Sequence, residues 1–330
     1  MKTPSVVSLC ALAAVMSGCA VRESAPALPG AQLHSMSAPY HRFPAHIPPA
    51  GPSWITPGAG SKSLFYVVNY YPTVDVGIYS QRNRKLVGNI TTGINLPLGV
   101  WVDTHRNLWV ANATTNDESL IERFPPGKTA PDLELADPNY NAWSLWVARN
   151  GAVYVVNLSY YADTEIVEFP PHKTMPKVLR PPRSYPFITA VVGDTKGDLF
   201  TSELNASGVG EIDERAAGSK RWRDTGIRLA EPSGLGFDAS GNLVASDIGD
   251  DVIETFPPGK TTPSNTIQCD AQCAAFAFNE RGDRLFVDEY NDGSDTIEEI
   301  TYPSGTLVGT ISGLQTNSID GVAASPDLYP

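Results

Sequence analysis

The sequence predicts an all-β chain: a six-bladed β-propeller of four-stranded antiparallel blades, closed by pairing N- and C-terminal strands in one blade. Three observations predict it. The segment Phe-Pro-Pro-x-Lys-Thr-x-Pro occurs at Phe124–Pro131, Phe169–Pro176 and Phe256–Pro263, spaced by 45 and then 87 residues, the second being twice about 44. A strand-like run ending in a polar residue recurs six times, in steps of 42 to 46 residues. The composition favours turns over long helices, with 28 Gly and 28 Pro among 330 residues, 42% hydrophobic and only 18% charged.

In chain order, the first segment is an address. Lys2 precedes the apolar stretch Val6–Met16, which is too short to span a bilayer. Met16-Ser17-Gly18-Cys19 resembles the lipobox of bacterial lipoproteins, with Met in place of the commoner Leu. The resemblance implies cleavage before Cys19 and lipidation of that residue, so residues 1–18 are a signal peptide and the mature protein sits in the bacterial cell envelope. If Cys19 is not lipidated, the protein is secreted. Residues 19–60 read as a Pro-rich tether with no hydrophobic period. His34, His41 and His46 lie in it; nothing preorganises them for a metal, and a solvated linker is the simpler reading.

Residues 61–330 carry the blades. Phe65–Asn69, Leu108–Asn112, Val153–Asn157, Leu199–Glu203, Leu243–Asp247 and Leu285–Glu289 are the second strands. Hairpins such as Gly236–Leu243, with Asp at the start and Gly near the end, join first to second strands. Leu120–Phe124 and Val252–Phe256 are third strands, and Pro-Pro-Gly-Lys makes a type II turn with Gly127 at positive φ. His172 replaces that glycine in the next copy, which predicts a strained turn or one of another type. Ile319–Ser325 reads as a first strand with nothing after it, and Leu64–Asn69 as a second strand with nothing before it. Each supplies what the other lacks, so the two are expected to share one blade and close the ring, removing the edge that would otherwise invite aggregation; a monomer is expected.

Pro232–Asp247 and Leu96–Asn112 resemble the NHL repeat, roughly Pro-x-Gly-[Ile/Val]-x-Val-Asp-x-x-Gly-Asn-Leu-Tyr-Val-Ala-[Asp/Asn]. The likeness is strong in the second and fifth blades and weak around Lys220–Arg228. It implies the propeller fold without choosing a function, because that scaffold serves lyases, lactonases and binding modules alike.

The excess of 36 Asp+Glu over 24 Lys+Arg, a net −12, counts against nucleic acid and against charge-driven docking on anionic lipid. Membrane contact is then through the lipid alone. The chain also resembles gluconolactonase-like propellers in outline. Such propellers hold a divalent metal near the starts of inner strands, which here read Leu98, Ala142, Ile188, Ser233 and Ala274, with only Asp320 acidic. Streptogramin-type lyases use a channel histidine, whereas His105 and His172 fall in turns on the opposite face. No nucleophile elbow, Walker loop or zinc-protease motif is present. Asn291–Asp295 has calcium-loop flavour but reads as an Asx turn. Cys269 and Cys273 form either a local disulfide or two buried thiols.

No catalytic or metal-binding residue is therefore assigned, and no cofactor. The candidate ligand-binding set lies on the loop face: Tyr70, Tyr160, Tyr161 and Tyr290, with the strand-end residues Asn112, Asn157, Glu203, Asp247 and Glu289 in a ring near the channel mouth. Tyrosine beside carboxylates and amides suits a protein or glycan ligand. The plainer reading is that the strand-end residues cap backbone and the tyrosines pack between blades. The alternative function is a metal-dependent hydrolase or lyase, with Ca²⁺ held by the polar ring. Trp101, Trp109, Trp143 and Trp146 fall inside strands and are expected to pack between blades.

Overall fold

Short runs of Val, Ile, Leu and aromatics, each bounded by Asp, Asn, Gly or Pro, can bury both faces of a strand but are too brief for a stable helix. The computed structural model, which describes residues 49, 51–69, 74–113, 118–137, 141–158, 164–179, 187–205, 207–291, 294–314 and 321–325, folds them accordingly. The chain begins with β1 (Trp54–Ile55), β2 (Leu64–Asn69), β3 (Asp75–Ser80) and β4 (Leu86–Ile90). Blade 2 is β5–β8 (Leu96–Val102, Leu108–Ala113, Ser119–Phe124, Leu133–Asp137), and blade 3 is β9–β12 (Asn141–Val147, Val153–Leu158, Glu165–Phe169, Lys177–Leu179). Blade 4 is β13–β16 (Phe187–Gly193, Leu199–Leu204, Gly210–Arg215, Arg223–Leu229), and blade 5 is β17–β20 (Pro232–Phe237, Leu243–Asp247, Val252–Phe256, Asn265–Gln268). Blade 6 is β21–β24 (Gln272–Phe278, Arg284–Asn291, Ser294–Thr301, Leu307–Leu314), and β25 is Val322–Ser325. Among the described residues the only helical element is a 3₁₀ turn at Ala59–Ser61.

Blade 1 closes the ring. Its order is β1-β4-β3-β2-β25, with Leu64 opposite Ser325 and Val67 opposite Val322. The inner strands β25, β5, β9, β13, β17 and β21 touch in that order around the circle. Of the Ile319–Ser325 strand, Val322–Ser325 is seen; residues 315–320, including Asp320, lie outside the described residues. One boundary is corrected. Trp54–Ile55, read as tether, pairs antiparallel with Gly88–Asn89 as a fifth, outermost strand, and Pro49 bridges Val74. The ordered body therefore starts ahead of residue 61, because β4 has a free edge that a short extended segment satisfies.

The repeated motifs divide the labour within each blade. Phe124, Phe169 and Phe256, which open the Phe-Pro-Pro segments, are fully buried, each worth about 2–3 kcal/mol by apolar burial. The prolines behind them turn the chain: the N–H of Lys128 donates to Pro125 O, that of Lys173 to Pro170 O and that of Lys260 to Pro257 O. Gly127 and Gly259 sit at φ 72 and 71, and His172 at φ 60. His172 thus keeps the turn type and takes the left-handed conformation that glycine adopts without strain. The first hairpins are equally uniform. Asp103 and Asp238 each accept two N–H bonds of their own turn, from His105 and Asn107 and from Ser240 and Asn242.

The ring-closing blade is clamped by two arginines in glycine-like positions. Arg106, at φ 66, stands where Gly241 sits in the blade 5 hairpin; it donates to Ser325 Oγ at 3.0 Å and to Lys62 O. Arg84, at φ 58, matches Gly305 of the corresponding blade 6 turn and pairs with the buried Glu299 at 2.6 Å. Arg284 pairs with the same carboxylate. Gln81 adds bonds to Leu64 O and Ser325 O across the seam.

Candidate functional site

Strand alternation puts the first and third turns of every blade on one end of the ring, the turn face. The loops after second strands and the blade-to-blade crossovers share the other end, the loop face. The strand-end residues sit at the base of that loop face and point inward. Asn112, Asn157, Glu203, Asp247 and Glu289 are all buried, and Asn69 is half-buried. They are not displayed at the mouth as the ring of ligand-binding groups envisaged from sequence.

Their partners explain why. Asn112 Oδ1 accepts the N–H groups of Asn95 and Leu96, both at 2.9 Å, while its amide donates to Gly93 O at 2.7 Å and to Glu122 at 2.6 Å. The Asp247 carboxylate accepts from Ala230 N–H at 2.6 Å and Glu231 N–H at 2.7 Å. Glu289 accepts from Asp270 N–H, and Asn157 donates to Asp137 at 2.8 Å. In blades 2, 5 and 6 the second strand thus latches the crossover that enters its own blade. That backbone turns at the ring's end with no ladder partner, and buried N–H groups must be satisfied.

The Glu289 latch grips the loop between Cys269 and Cys273. The two cysteines are joined in a disulfide, with a Cα–Cα distance of 6.2 Å, at the entry to β21. One residue before the latch, Ser202 Oγ donates to Ser233 O and Ser246 Oγ to Ala274 O, tying blade 4 to blade 5 and blade 5 to blade 6.

Each of these latches has a second polar member that sequence reasoning missed. In register, Glu122, Asp213, Glu254 and Glu298 occupy one equivalent third-strand position beside Asn112, Glu203, Asp247 and Glu289. The signal was an Ile-Glu or Ile-Asp pair recurring in the third strand, as in Ile121-Glu122, Ile212-Asp213, Ile253-Glu254 and Ile297-Glu298. Burial pushes Glu122 up to about 7, helped by the Glu134 charge and opposed by the Asn112 hydrogen bond. Burial likewise takes Glu289 to about 7, with the Glu298 charge adding. Glu203 is held well above the ordinary 4.5 by burial first and then by the neighbouring Asp213 charge. Glu254 is raised by burial and by Asp247. The loop-face end of the ring therefore contains carboxyls that retain protons toward neutrality, because desolvation and like charges disfavour the ionised form.

Near the turn-face ends of the inner strands, Trp101, Trp146, Phe237, Phe276 and Phe278 line a small cavity of about 30 Å³. Trp146 lies over Gly193 of the next blade, where any side chain would collide with its ring. Trp146 thus packs at a seam between blades, and Trp109 packs in the core with its N–H on Asp103 at 2.9 Å.

Of the tyrosines proposed from sequence, Tyr290 is half-buried at the end of β22, opposite Gln272. Tyr70, Tyr160 and Tyr161 lie outside the described residues, as does Cys19. His105 and His172 are exposed in turn-face turns, as expected. Among the described residues no group of three or more His, Cys, Asp or Glu side chains is arranged to hold a metal ion.

No protein-family model matches the chain, and neither does any curated protein sequence. Solved structures of the same architecture are numerous. A chain from the crystal structure of a nidogen/laminin complex superposes with a TM-score of 0.66 at 14% identity, covering 80% of this chain and 98% of that one. A protein of unknown function from Bacteroides caccae gives 0.61 at 11%, covering 81% and 100%. TolB from Acinetobacter baumannii gives 0.62 at 12%, covering 82% of this chain and 68% of TolB. At these identities the likeness establishes the fold.

Proposed function

We propose that the protein is an extracytoplasmic binding module, lipid-anchored through Cys19 or secreted if that residue is not lipidated, which takes a protein or glycan ligand on its loop face. Tyr70, Tyr160, Tyr161 and Tyr290 supply the contacts. The NHL-like motifs of blades 2 and 5 and the lipobox-like Met16–Cys19 support this reading. So does the use of the same fold within a nidogen/laminin complex.

The observation that carries it is the set of latches beneath the loops. Asn112, Asp247 and Glu289 hold the crossovers into blades 2, 5 and 6 by charge-assisted or paired hydrogen bonds, which gives this end of the ring a fixed base. A rigid platform lowers the ordering cost that binding must overcome.

The test uses the mature chain on a glycan array and in cross-linking to native envelope proteins. For whatever ligand is captured, Tyr160→Ala with Tyr161→Ala is expected to weaken affinity at least about tenfold, the loss of two aromatic anchors. Unchanged affinity would remove the loop face from the assignment. A rise in Tm on adding Ca²⁺ to the purified chain would instead favour the metal-dependent hydrolase or lyase.

A further inference from the structure

The repeat builds the same crevice twice on the turn face and fills it once. Between blades 1 and 2, the Pro125–Lys128 turn is covered by the chain's own Gly58–Lys62. Ala59 is buried, Gly60 Cα lies 3.2 Å from where a Cβ on Gly127 would stand, and Arg106 donates to Lys62 O. A side chain on Gly60 would itself strike Gly127 Cα at 2.6 Å. Only small residues fit against this turn.

Between blades 4 and 5, the equivalent Pro257–Lys260 turn lines an open groove of about 450 Å³, within the range of ligand sites. Nothing lies within 4 Å of a Cβ built on Gly259, in contrast to Gly127. The position of Arg106 is here Gly241, whose own Cβ also meets nothing. The groove has an apolar floor that includes Phe200, Phe237, Leu243 and Phe256. The rim acids are already committed: Glu214 to Arg223 at 2.5 Å, Asp198 to Ala217 N–H at 2.7 Å, and Asp194 to Lys196 and Asp198 N–H. Lys196 and Lys260 are exposed on the rim, their ammonium groups without a partner among the described residues.

Two other turn-face crevices are closed from within. Arg84 fills the one between blades 6 and 1 by pairing with Glu299, and Tyr302 that between blades 5 and 6 by bonding to Thr255 and Asp238.

We propose that the blade 4–blade 5 groove is a peptide-docking site. Its occupant is a short segment of a partner protein that lays Ala, Gly or Ser against Pro258–Gly259, as Ala59–Gly60 does on blade 2, and sets an acidic side chain on Lys196 or Lys260. The site is on the opposite face from the tyrosines and does not depend on the loop-face reading.

The experiment is a selection of random displayed peptides on the full chain, followed by fluorescence-polarisation titration of the enriched peptides. Enriched sequences are expected to combine a small-residue pair with Asp or Glu. Gly241→Arg should weaken them at least about tenfold by filling the groove; Arg106 shows that this hairpin accepts arginine. Lys260→Glu should weaken them about threefold or more. Tyr160→Ala with Tyr161→Ala should leave them unchanged, which separates this site from the loop face. Should Gly241→Arg fail to fold, Ser240→Trp on the exposed rim serves the same purpose. Failure to enrich any peptide, or binding indifferent to both groove variants, overturns the proposal. Enrichment of sequences matching residues 20–48 overturns the partner assignment and makes the chain's own N-terminal segment the occupant.

Discussion

Blades 2 and 4 place different chemistry at one position. In blade 2 the second strand ends in Asn112, a neutral amide that accepts two crossover N–H groups and donates to both Gly93 O and Glu122. In blade 4 it ends in Glu203, equally buried, whose neighbours include the acids Asp213 and Glu211. An amide offers donor and acceptor together and needs no proton. A carboxyl can donate only when protonated, and burial with the Asp213 charge beside it makes Glu203 hold on to its proton. The repeat thus keeps a place for polarity rather than a particular interaction. Blade 2 spends that place on stability, and blade 4 leaves it dependent on pH.

The largest expected effect comes from breaking the blade 2 side. Asn112→Leu leaves the N–H groups of Asn95 and Leu96, Gly93 O and the Glu122 carboxyl without partners at once. It should cost about 3 kcal/mol or more in urea unfolding. A loss under about 1 kcal/mol would mean that water replaces the latch.

A middle-sized effect sharpens the blade 4 side. The folded value for Glu203 lies above its ordinary 4.5, so the folded state binds the proton more tightly than the unfolded chain. Its contribution is fully present below about pH 4.5 and is lost as pH rises toward and through the folded value. Glu203→Gln keeps the shape, cannot ionise and can donate to Asp213. It should therefore stabilise more at pH 8 than at pH 4. Equal Tm shifts at the two pH values would show that Glu203 binds its proton no more tightly in the folded state than in the unfolded chain.

The smallest concerns the turn face, where three copies of one turn differ only in their left-handed residue. His172→Gly restores what Gly127 and Gly259 have and should stabilise by about 0.5–1 kcal/mol. No gain would mean that the imidazole makes good the backbone strain.

Much of this architecture was legible because the repeat announces itself. The six second strands begin within one residue of where the spacing put them and end within two, and Leu64–Asn69 with Val322–Ser325 closes the ring as each lacked a partner. Trp54–Ile55 was not legible, since a two-residue edge strand among prolines leaves no period to detect. The strand-end polar residues were found, but not how deep they lie. Asn112 and Asp247 are buried and cap crossover N–H groups, the plainer of their two readings, and those donors are invisible in a side-chain sequence.

The sequence by itself determined the ring: repeat length, blade number, turn chemistry and the complementary ends are all local patterns or their spacing. Only the tertiary structure decided which equivalent sites differ. Whether Pro125–Lys128 is covered and Pro257–Lys260 open depends on where residues 58–62 lie against a blade that they precede in the chain. Whether Glu203 keeps its proton depends on which carboxyls the sheet register sets beside it. Contacts between segments distant in sequence, and the dielectric they create, are properties of packing, and no window along the chain contains them.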